Sequence, residues 1–326
     1  MKALHVTRRV AFAAAALVLV AANVQAQTYP SKPVRIIVPQ PPGGGFDTVG
    51  RLLADRLGKQ MGQSFVVENR TGSGTLVGTD LAAKAAPDGY TLLVGSISNL
   101  ALNPGLYANL PYDSLRDFEP IGLLVSYSYT LIARKDLPLK TLPEVIAYAK
   151  ANPGRLNYAS AGNGSGQHVL AAALWHLAGV NVQHVPYRGA QPAYQDLLGG
   201  RIDLFFDLSP TARPQVEAGN ARALAVSGAA RNPMHPDVAT VLESGIAPLQ
   251  LESWFGLFAP ARTARDVIER LRAEFAKVAA APELREILVK TGCTPLQATG
   301  DEARAIVQRD VEHWSRLVGT LGIHAE

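Results

Sequence analysis

Short runs of β-branched and other apolar residues alternate along the chain with longer segments whose apolar residues recur every three or four positions. The short runs predict buried strands at 34–38, 65–68, 91–95, 157–160, 202–206 and 224–227. The longer segments predict amphipathic helices, such as the one whose apolar face contains Val49, Leu53 and Leu57. This alternation is typical of an α/β protein with mainly parallel sheets and helices on both faces.

Two stretches, 118–133 and 251–259, interrupt this alternation because they are strand-rich and aromatic and contain no helical pattern. They are interpreted as two crossovers between two lobes, an arrangement that permits a hinge. The first lobe is expected to comprise 27–125 plus 253–326, with C-terminal helices at about 264–280, 282–291 and 301–321, and the second lobe 126–252. A single continuous sheet is the alternative that the pattern leaves open.

Two helix starts have the spacing of a capping box. Thr141 is followed three residues later by Glu144, and Thr299 is followed by Glu302. Each threonine is therefore predicted to lie at the N-cap of a helix and to accept a hydrogen bond from the first turn.

The N-terminus has the three parts of a secretory signal peptide. Lys2, Arg8 and Arg9 are followed by an apolar run at 10–22 and by small residues up to Ala26. Residues 1–26 are therefore predicted to direct export to the periplasm and to be removed. Their removal takes three positive charges and no acid from a net charge of +4, which leaves about +1. A nearly neutral chain gives no indication of a nucleic-acid or membrane partner.

Three glycine-rich loops follow predicted strands, at 39–47, 71–74 and 160–166. Ligands of open α/β sheets lie beyond the carboxyl ends of strands, where backbone N–H groups and helix N-termini favour an anion. Nucleotide fingerprints do not fit, because Thr48, Val77 and Gln167 stand where the third glycine would be required. A small carboxylate therefore suits these loops, although a mononucleotide stays weakly possible.

The sequence gives little support for a catalytic site or a metal site. Ser165 and His168 are close enough in sequence to suggest a hydrolase dyad, but a nucleophile elbow needs glycine at positions that hold Asn163 and Gln167. Ser165 also suits a helix N-cap. The histidines lack metal-ligand spacing, and Cys293 is the only cysteine. No metal or cofactor is predicted.

Two charged residues near these loops have two interpretations each. Asp47 can cap the helix that begins near Thr48, or it can face a ligand ammonium or hydroxyl group. Arg188 can pair with a ligand carboxylate, or it can form an exposed salt bridge. The sequence leaves both alternatives open.

The chain resembles the tripartite tricarboxylate transporter receptor family, the Bug-type periplasmic binding proteins. The likeness covers essentially the whole chain after the signal peptide. It is carried by Pro42-Gly43-Gly44 with Asp47, by the stretches 29–35, 67–70 and 86–92, by 160–165 with His168, by 185–189, and by 196–200.

The resemblance implies a two-lobed Venus-flytrap fold that closes on a ligand carboxylate, and no enzymatic activity. It also implies delivery to membrane permease subunits or, alternatively, to the periplasmic domain of a sensor, by a receptor expected to be monomeric. Ligand-binding residues carried over from the family are Pro42, Gly43, Gly44, Gly45, Phe46, Asp47, Ser96, Ser98, Asn99, Ala161, Gly162, Asn163, Gly164, Ser165, His168 and Asp207. Tyr187 and Arg188 are added because they follow a predicted strand and are expected at the edge of the second lobe.

Two stretches depart from the pattern of the family. Gln40-Pro41 stands where relatives often have an aromatic residue and an alanine, and 126–130 (Ser-Tyr-Ser-Tyr-Thr) replaces a more apolar crossover. We expect both departures to affect which carboxylate is bound. The candidates are dicarboxylates, amino acids, hydroxy-tricarboxylates and aromatic acids.

Overall fold

The structure is a computed structural model that describes residues 29–325. The predicted signal peptide lies outside the described residues. Within the described part of the chain, no helix is long and apolar enough to cross a membrane.

The first part of the chain forms one α/β unit. Its elements are β1 (Val34–Val38), α1 (Gly45–Met61), β2 (Phe65–Asn69), α2 (Leu76–Ala83), β3 (Thr91–Ser96), a π-helical turn (Ile97–Leu102) and α3 (Asn103–Leu106). The C-terminal part returns to this unit with β9 (Glu252–Pro260), α8 (Arg265–Ala280), α9 (Pro282–Lys290), β10 (Thr294–Pro295) and α10 (Gly300–Leu321).

The middle of the chain forms a second α/β unit, which is entered through β4 (Phe118–Arg134). It contains α4 (Leu142–Ala151), β5 (Asn157–Ser160), α5 (Gly166–Leu177), β6 (Gln183–Pro186), α6 (Ala190–Leu198), β7 (Leu204–Leu208), α7 (Ser209–Glu217) and β8 (Ala221–Val226). The fold is therefore the two-lobed α/β fold that the sequence predicts.

The strands within each lobe that are joined by helices pair in parallel, β2-β1-β3 in one lobe and β7-β5-β6 in the other. The two crossover strands add antiparallel pairs. Strand β4 is paired with β9 up to Ser128 and with β7 from Tyr129 onward. Hydrogen bonding thus continues from one lobe to the other through β4. The predicted crossover between lobes and the alternative of a continuous sheet therefore occur together.

The core explains why β1 is an almost continuous apolar run, interrupted only by the exposed Arg35. Val34, Ile36, Ile37 and Val38 of β1 are fully buried, because β1 is paired on both edges and covered by helices. A strand that is buried on both faces has no solvent side to produce a polar alternation.

Two predicted strand starts and one predicted side-chain cap were wrong. The strand predicted at 202–206 begins at Leu204, because the backbone N–H of Ile202 is bonded to the Asp196 carbonyl at the end of α6. The strand predicted at 224–227 begins earlier, at Ala221, where its backbone pairs with β4. Thr299 lies at the N-cap of α10 but makes no side-chain cap; it bridges to Gly122 in an extended conformation instead.

The other predicted capping threonine does act as a cap. The side chain of Thr141 accepts a hydrogen bond from the backbone N–H of Glu144 at 3.3 Å. The Glu144 carboxylate reaches back to the N–H of Lys140, one residue before the position that a standard capping box uses.

Candidate functional site

A cavity of about 20 Å³ lies between the two lobes, at the ends of their parallel strands. The loop after β1 forms one wall, the starts of α5, α6 and α7 form the opposite wall, and the crossover strands close the back. Its lining residues are Gln40, Gly44, Gly45, Phe46, Ser98, Tyr129, Ala161, Gln167, Ala190, Asp207, Leu208 and Phe255.

Four helices begin at this cavity. Gly44 and Gly45 lie at the start of α1, Gln167 in the first turn of α5, Ala190 at the start of α6, and Leu208 at the N-cap of α7. The N-terminus of a helix carries a partial positive charge and unsatisfied N–H groups. Among the described residues, no lysine or arginine lines the cavity. The groups there that favour an anion are therefore the oriented backbone N–H groups of the helix starts.

The start of α1 leaves its first N–H groups free for a ligand. Gly44 is the N-cap, and as a glycine it has no side chain with which to cap them. A Cβ added to Gly44 would approach only the Gln40 Oε1, at 3.7 Å, so the cavity side of this loop is open.

The Asp47 carboxylate is hydrogen-bonded within its own lobe, and Asp47 does not line the cavity. Its carboxylate accepts hydrogen bonds from the Gly43 N–H at 3.0 Å, from Arg51 Nε at 2.9 Å and from Asn69 Nδ2 at 3.1 Å. Burial raises the pKa of Asp47, but these hydrogen bonds outweigh it and hold the pKa below the usual value. The predicted N-cap role of Asp47 was wrong, because α1 begins at Gly45 with Gly44 as its N-cap. Asp47 lies in the first turn, where its carboxylate fixes the glycine loop to the helix.

Ser165 and His168 hold the glycine-rich loop 160–166 on the side that faces away from the cavity. The Ser165 hydroxyl donates to the Gly162 carbonyl at 2.7 Å and accepts from the His168 backbone N–H at 3.3 Å, as an N-cap does. His168 Nδ1 accepts from the Gly164 N–H at 3.3 Å. Because the hydroxyl proton points to a carbonyl and Nδ1 is already engaged, these contacts do not form the hydrolase dyad that the sequence suggested.

A stacked histidine pair supports this loop. The rings of His168 and His184 lie 4.2 Å apart at 11°, and His184 Nε2 is 2.7 Å from the Ser160 hydroxyl. Burial lowers the pKa of His168 to about 4. Burial, followed by the charge of His168, lowers the pKa of His184 to about 3. Both imidazoles are therefore neutral at physiological pH.

This pair predicts a loss of stability in acid. The folded-state pKa values lie below the unfolded value of about 6.5, so the folded protein binds fewer protons and is destabilised as the pH falls from about 6.5 to 4. Protonation of His168 alone lowers the free energy of unfolding by on the order of 3 kcal/mol at pH 4. We expect the melting temperature to fall across this range, and to fall less steeply in His184→Gln, which keeps a hydrogen-bonding partner for Ser160. The exposed His176 provides the control substitution, and equal slopes in all three proteins would contradict the assignment.

Asp207 is buried in the second lobe and is the one acidic side chain among the lining residues. Its carboxylate accepts from Gln167 Nε2 at 3.1 Å, from the Tyr194 hydroxyl at 2.9 Å and from the Thr211 hydroxyl at 2.6 Å. Burial raises the pKa of Asp207, and the three donors oppose that rise. Each donor comes from a different helix, so the carboxylate ties α5, α6 and α7 together.

The structure divides the predicted site residues into three groups. Those that line the cavity are Gly44, Gly45, Phe46, Ser98, Ala161 and Asp207. Those that support its loops from behind are Gly43, Asp47, Ser96, Asn99, Gly162, Asn163, Gly164, Ser165 and His168. Those that point elsewhere are Pro42, Tyr187 and Arg188.

The third group has identifiable contacts. The Tyr187 hydroxyl donates to Asp196 at 2.6 Å, away from the cavity. Pro42 is exposed. Arg188 is also exposed and forms no salt bridge with any described residue.

Six lining residues were absent from the sequence prediction: Gln40, Tyr129, Gln167, Ala190, Leu208 and Phe255. Gln40 and Tyr129 lie in the two stretches that depart from the family pattern, and that departure could have identified them from sequence. The other four depend on which strand and helix ends meet across the cleft, and local sequence does not contain that information. Among residues 29–325, no group of three or more His, Cys, Asp or Glu side chains is placed to hold a metal ion.

Comparisons with known proteins agree with this geometry. Residues 49–323 match the Tripartite tricarboxylate transporter family receptor. Protein BugT of Bordetella pertussis is 35% identical over 304 residues, which cover 93% of each protein. The R. palustris protein Rpa4515, solved with adipate, superposes with a TM-score of 0.87 at 31% identity over 91% of this chain and 99% of that one.

A second solved structure, MatC from Rhodopseudomonas palustris with bound malate, has a TM-score of 0.84 and 33% identity over 89% of this chain and 100% of that one. These matches confirm the resemblance, since they extend over nearly the whole described chain. The chain belongs to the tripartite tricarboxylate transporter receptor family.

Proposed function

We propose that this protein captures a small carboxylate in the cavity between its lobes for uptake through a tripartite tricarboxylate transporter. The observation that carries the proposal is the convergence of four helix N-termini on a cavity without lysine or arginine. Free N–H groups there would bind a carboxylate by charge-assisted hydrogen bonds, each worth about 1.5–3 kcal/mol. The relatives solved with adipate and malate support the same ligand class.

Contacts between the lobes indicate that the structure represents the closed form. The Ser98 hydroxyl of the first lobe accepts from the Gly166 N–H of the second at 3.1 Å, and the Tyr107 hydroxyl lies 3.5 Å from the Asn163 carbonyl oxygen. A cavity of about 20 Å³ holds roughly one water molecule. A carboxylate of several heavy atoms would therefore enter only when the lobes separate, and the lobes would then close over it to a form with a larger cavity than this one.

The lobes are proposed to divide at 125–126 and 252–253. The change of partners along β4, between Ser128 and Tyr129, supports the first boundary. The start of β9 at Glu252 supports the second. Bending at these two points would let the middle segment, 126–252, swing as a body.

The remaining assignments rest on the family and on the N-terminal sequence. We propose that the protein acts in the periplasm after cleavage near Ala26, that it is monomeric and that it catalyses no reaction. The partners would be the membrane subunits of the transporter. A sensor's periplasmic domain is the alternative partner, and it would use the same ligand-closed form.

The proposal is tested by thermal unfolding of residues 27–326 with a panel of small carboxylates, each matched with its diamide or amide. Protein that has been denatured and refolded is used, so that a co-purified ligand cannot mask binding. We expect at least one acid to raise the melting temperature while its fully amidated analogue has no effect, because binding to the folded state stabilises it by mass action. A refolded protein that responds to no acid, or equally to acids and their amides, would contradict carboxylate capture.

A further inference from the structure

The carboxamide of Gln40 lies in the wall of the cavity and is not engaged by any described residue. Gln40 is only 7% exposed and lines the cavity, and its backbone carbonyl accepts from Asn69. Its side-chain carboxamide has no hydrogen-bond partner among residues 29–325. A carboxamide that faces a cavity without a protein partner can form its hydrogen bonds with a ligand. Gln40 therefore offers two N–H donors and one carbonyl acceptor to a ligand.

A second carboxamide, that of Gln167, is oriented by Asp207. The Nε2 of Gln167 donates to Asp207 Oδ1 at 3.1 Å, and an ionised carboxylate accepts but cannot donate. The amide nitrogen is therefore turned toward Asp207, and the Oε1 of Gln167 is left without a partner among the described residues. This arrangement presents a carbonyl oxygen to the cavity, and such an oxygen requires a donor from the ligand.

The charges around the cavity fix the number of carboxylates that it can accommodate. Four helix N-termini favour one anionic group, but among the described residues that line the cavity the only formally charged side chain is the acid of Asp207. A second ligand carboxylate would face this acid and the Gln167 carbonyl, and no lysine or arginine of the described lining would offset it. A ligand ammonium group would oppose the positive ends of the helices.

From this arrangement, and given the proposed carboxylate receptor, we propose that the cavity selects a monoanion: an acid with a single carboxylate and a neutral hydrogen-bond donor at its other end, such as a hydroxyl or a carboxamide. The helix N-termini bind the carboxylate. Gln40 and Gln167 bind the neutral end, and Asp207 acts as a positioning residue that sets the orientation of Gln167.

Calorimetric titration of the refolded protein at pH 8 tests this selection. The probes are pairs of equal length: succinate with succinamate, glutarate with glutaramate, and adipate with adipamate. We expect the monoamide to bind at least about 10-fold more tightly than its diacid in the pair of the preferred length, because only the monoamide satisfies the Gln167 carbonyl.

Two substitutions locate the effect. Asp207→Asn provides an N–H that can donate to Gln167 Oε1, which turns the Gln167 amide group toward the ligand; the preference should then move toward the diacid. Gln40→Met keeps the size of the side chain and breaks no existing side-chain hydrogen bond, so it should weaken the monoamide about 10-fold without lowering the melting temperature. Gln308→Met on the exposed face of α10 is the matched control.

The outcomes separate this inference from the proposed function. Tighter monoamide binding that is reversed in Asp207→Asn supports the inference. A diacid that binds as tightly as its monoamide, or glutamine binding more tightly than glutaramate, overturns it and leaves the receptor function intact. If neither the diacids nor the monoamides bind, and no carboxylate of the thermal panel raises the melting temperature, the proposed function is overturned as well.

Discussion

Replacing Gly74 with alanine is expected to weaken ligand binding by roughly 10- to 100-fold, although Gly74 does not line the cavity. A Cβ added at this position would overlap the backbone carbonyl oxygen of Asn163, which belongs to the opposite lobe. Backbone cannot move aside as a flexible side chain can, and such overpacking costs about 1–3 kcal/mol. That cost applies only to the closed form, and it is therefore subtracted from the free energy of ligand binding.

The control for this substitution is Gly62→Ala. Gly74 and Gly62 both have a positive φ, of +70° and +68°, so alanine is strained at each. A Cβ at Gly62, however, would meet no atom within 4 Å. Both variants should lose about 1 kcal/mol of stability, and only Gly74→Ala should lose affinity.

Two measurements separate blocked closure from a damaged fold. Ligand affinity is obtained by titration calorimetry, and the separation of the lobes is obtained by small-angle scattering with and without a saturating ligand. Gly74→Ala should stay extended when the ligand is added, whereas Gly62→Ala should contract as the parent protein does. Equal affinities in the two variants would show that the contact between Gly74 and Asn163 is not part of the ligand-bound form.

The sequence predicted best those features that are determined locally. The strands at 34–38 and 157–160 have the predicted limits, and a glycine-rich loop marks the end of each. The N-cap role of Ser165 was also predictable, since it depends on one side chain and the next three residues. The two long crossover strands were predictable from the absence of any helical spacing.

The site was less predictable, because its residues acquire their roles from contacts distant in sequence. Gln167 was considered only as a missing glycine, yet its amide is oriented by a carboxylate forty positions later. Asp47 and Asp207 were both treated as acids that could face a ligand. The side chain of one is turned back to its own loop by Arg51 and Asn69, and only the other reaches the cavity wall.

Removing the carboxylate of Asp207 is expected to produce the largest change in stability. In Asp207→Ala, the Gln167 amide and the Tyr194 hydroxyl lose the acceptor that they share in the buried interior of the second lobe, and Thr211 keeps only its bond to the Leu208 carbonyl. Each stranded buried donor costs about 1–3 kcal/mol, which gives a total of roughly 3 kcal/mol or more.

Asp207→Asn is the informative comparison, because the asparagine carbonyl still accepts from Tyr194 and Thr211. For a protein of about 300 residues, an unfolding entropy of about 2.1 cal/mol/K per residue makes 3 kcal/mol correspond to a decrease in melting temperature of about 5 °C. We expect a decrease of that order for Asp207→Ala, measured by calorimetry without ligand, and a decrease less than half as large for Asp207→Asn. If the two variants melt together, the stabilising contribution comes from the negative charge and not from the shared acceptor. If neither melts below the parent protein, the three helix starts are held in place by packing alone, and the orientation of Gln167 needs another cause.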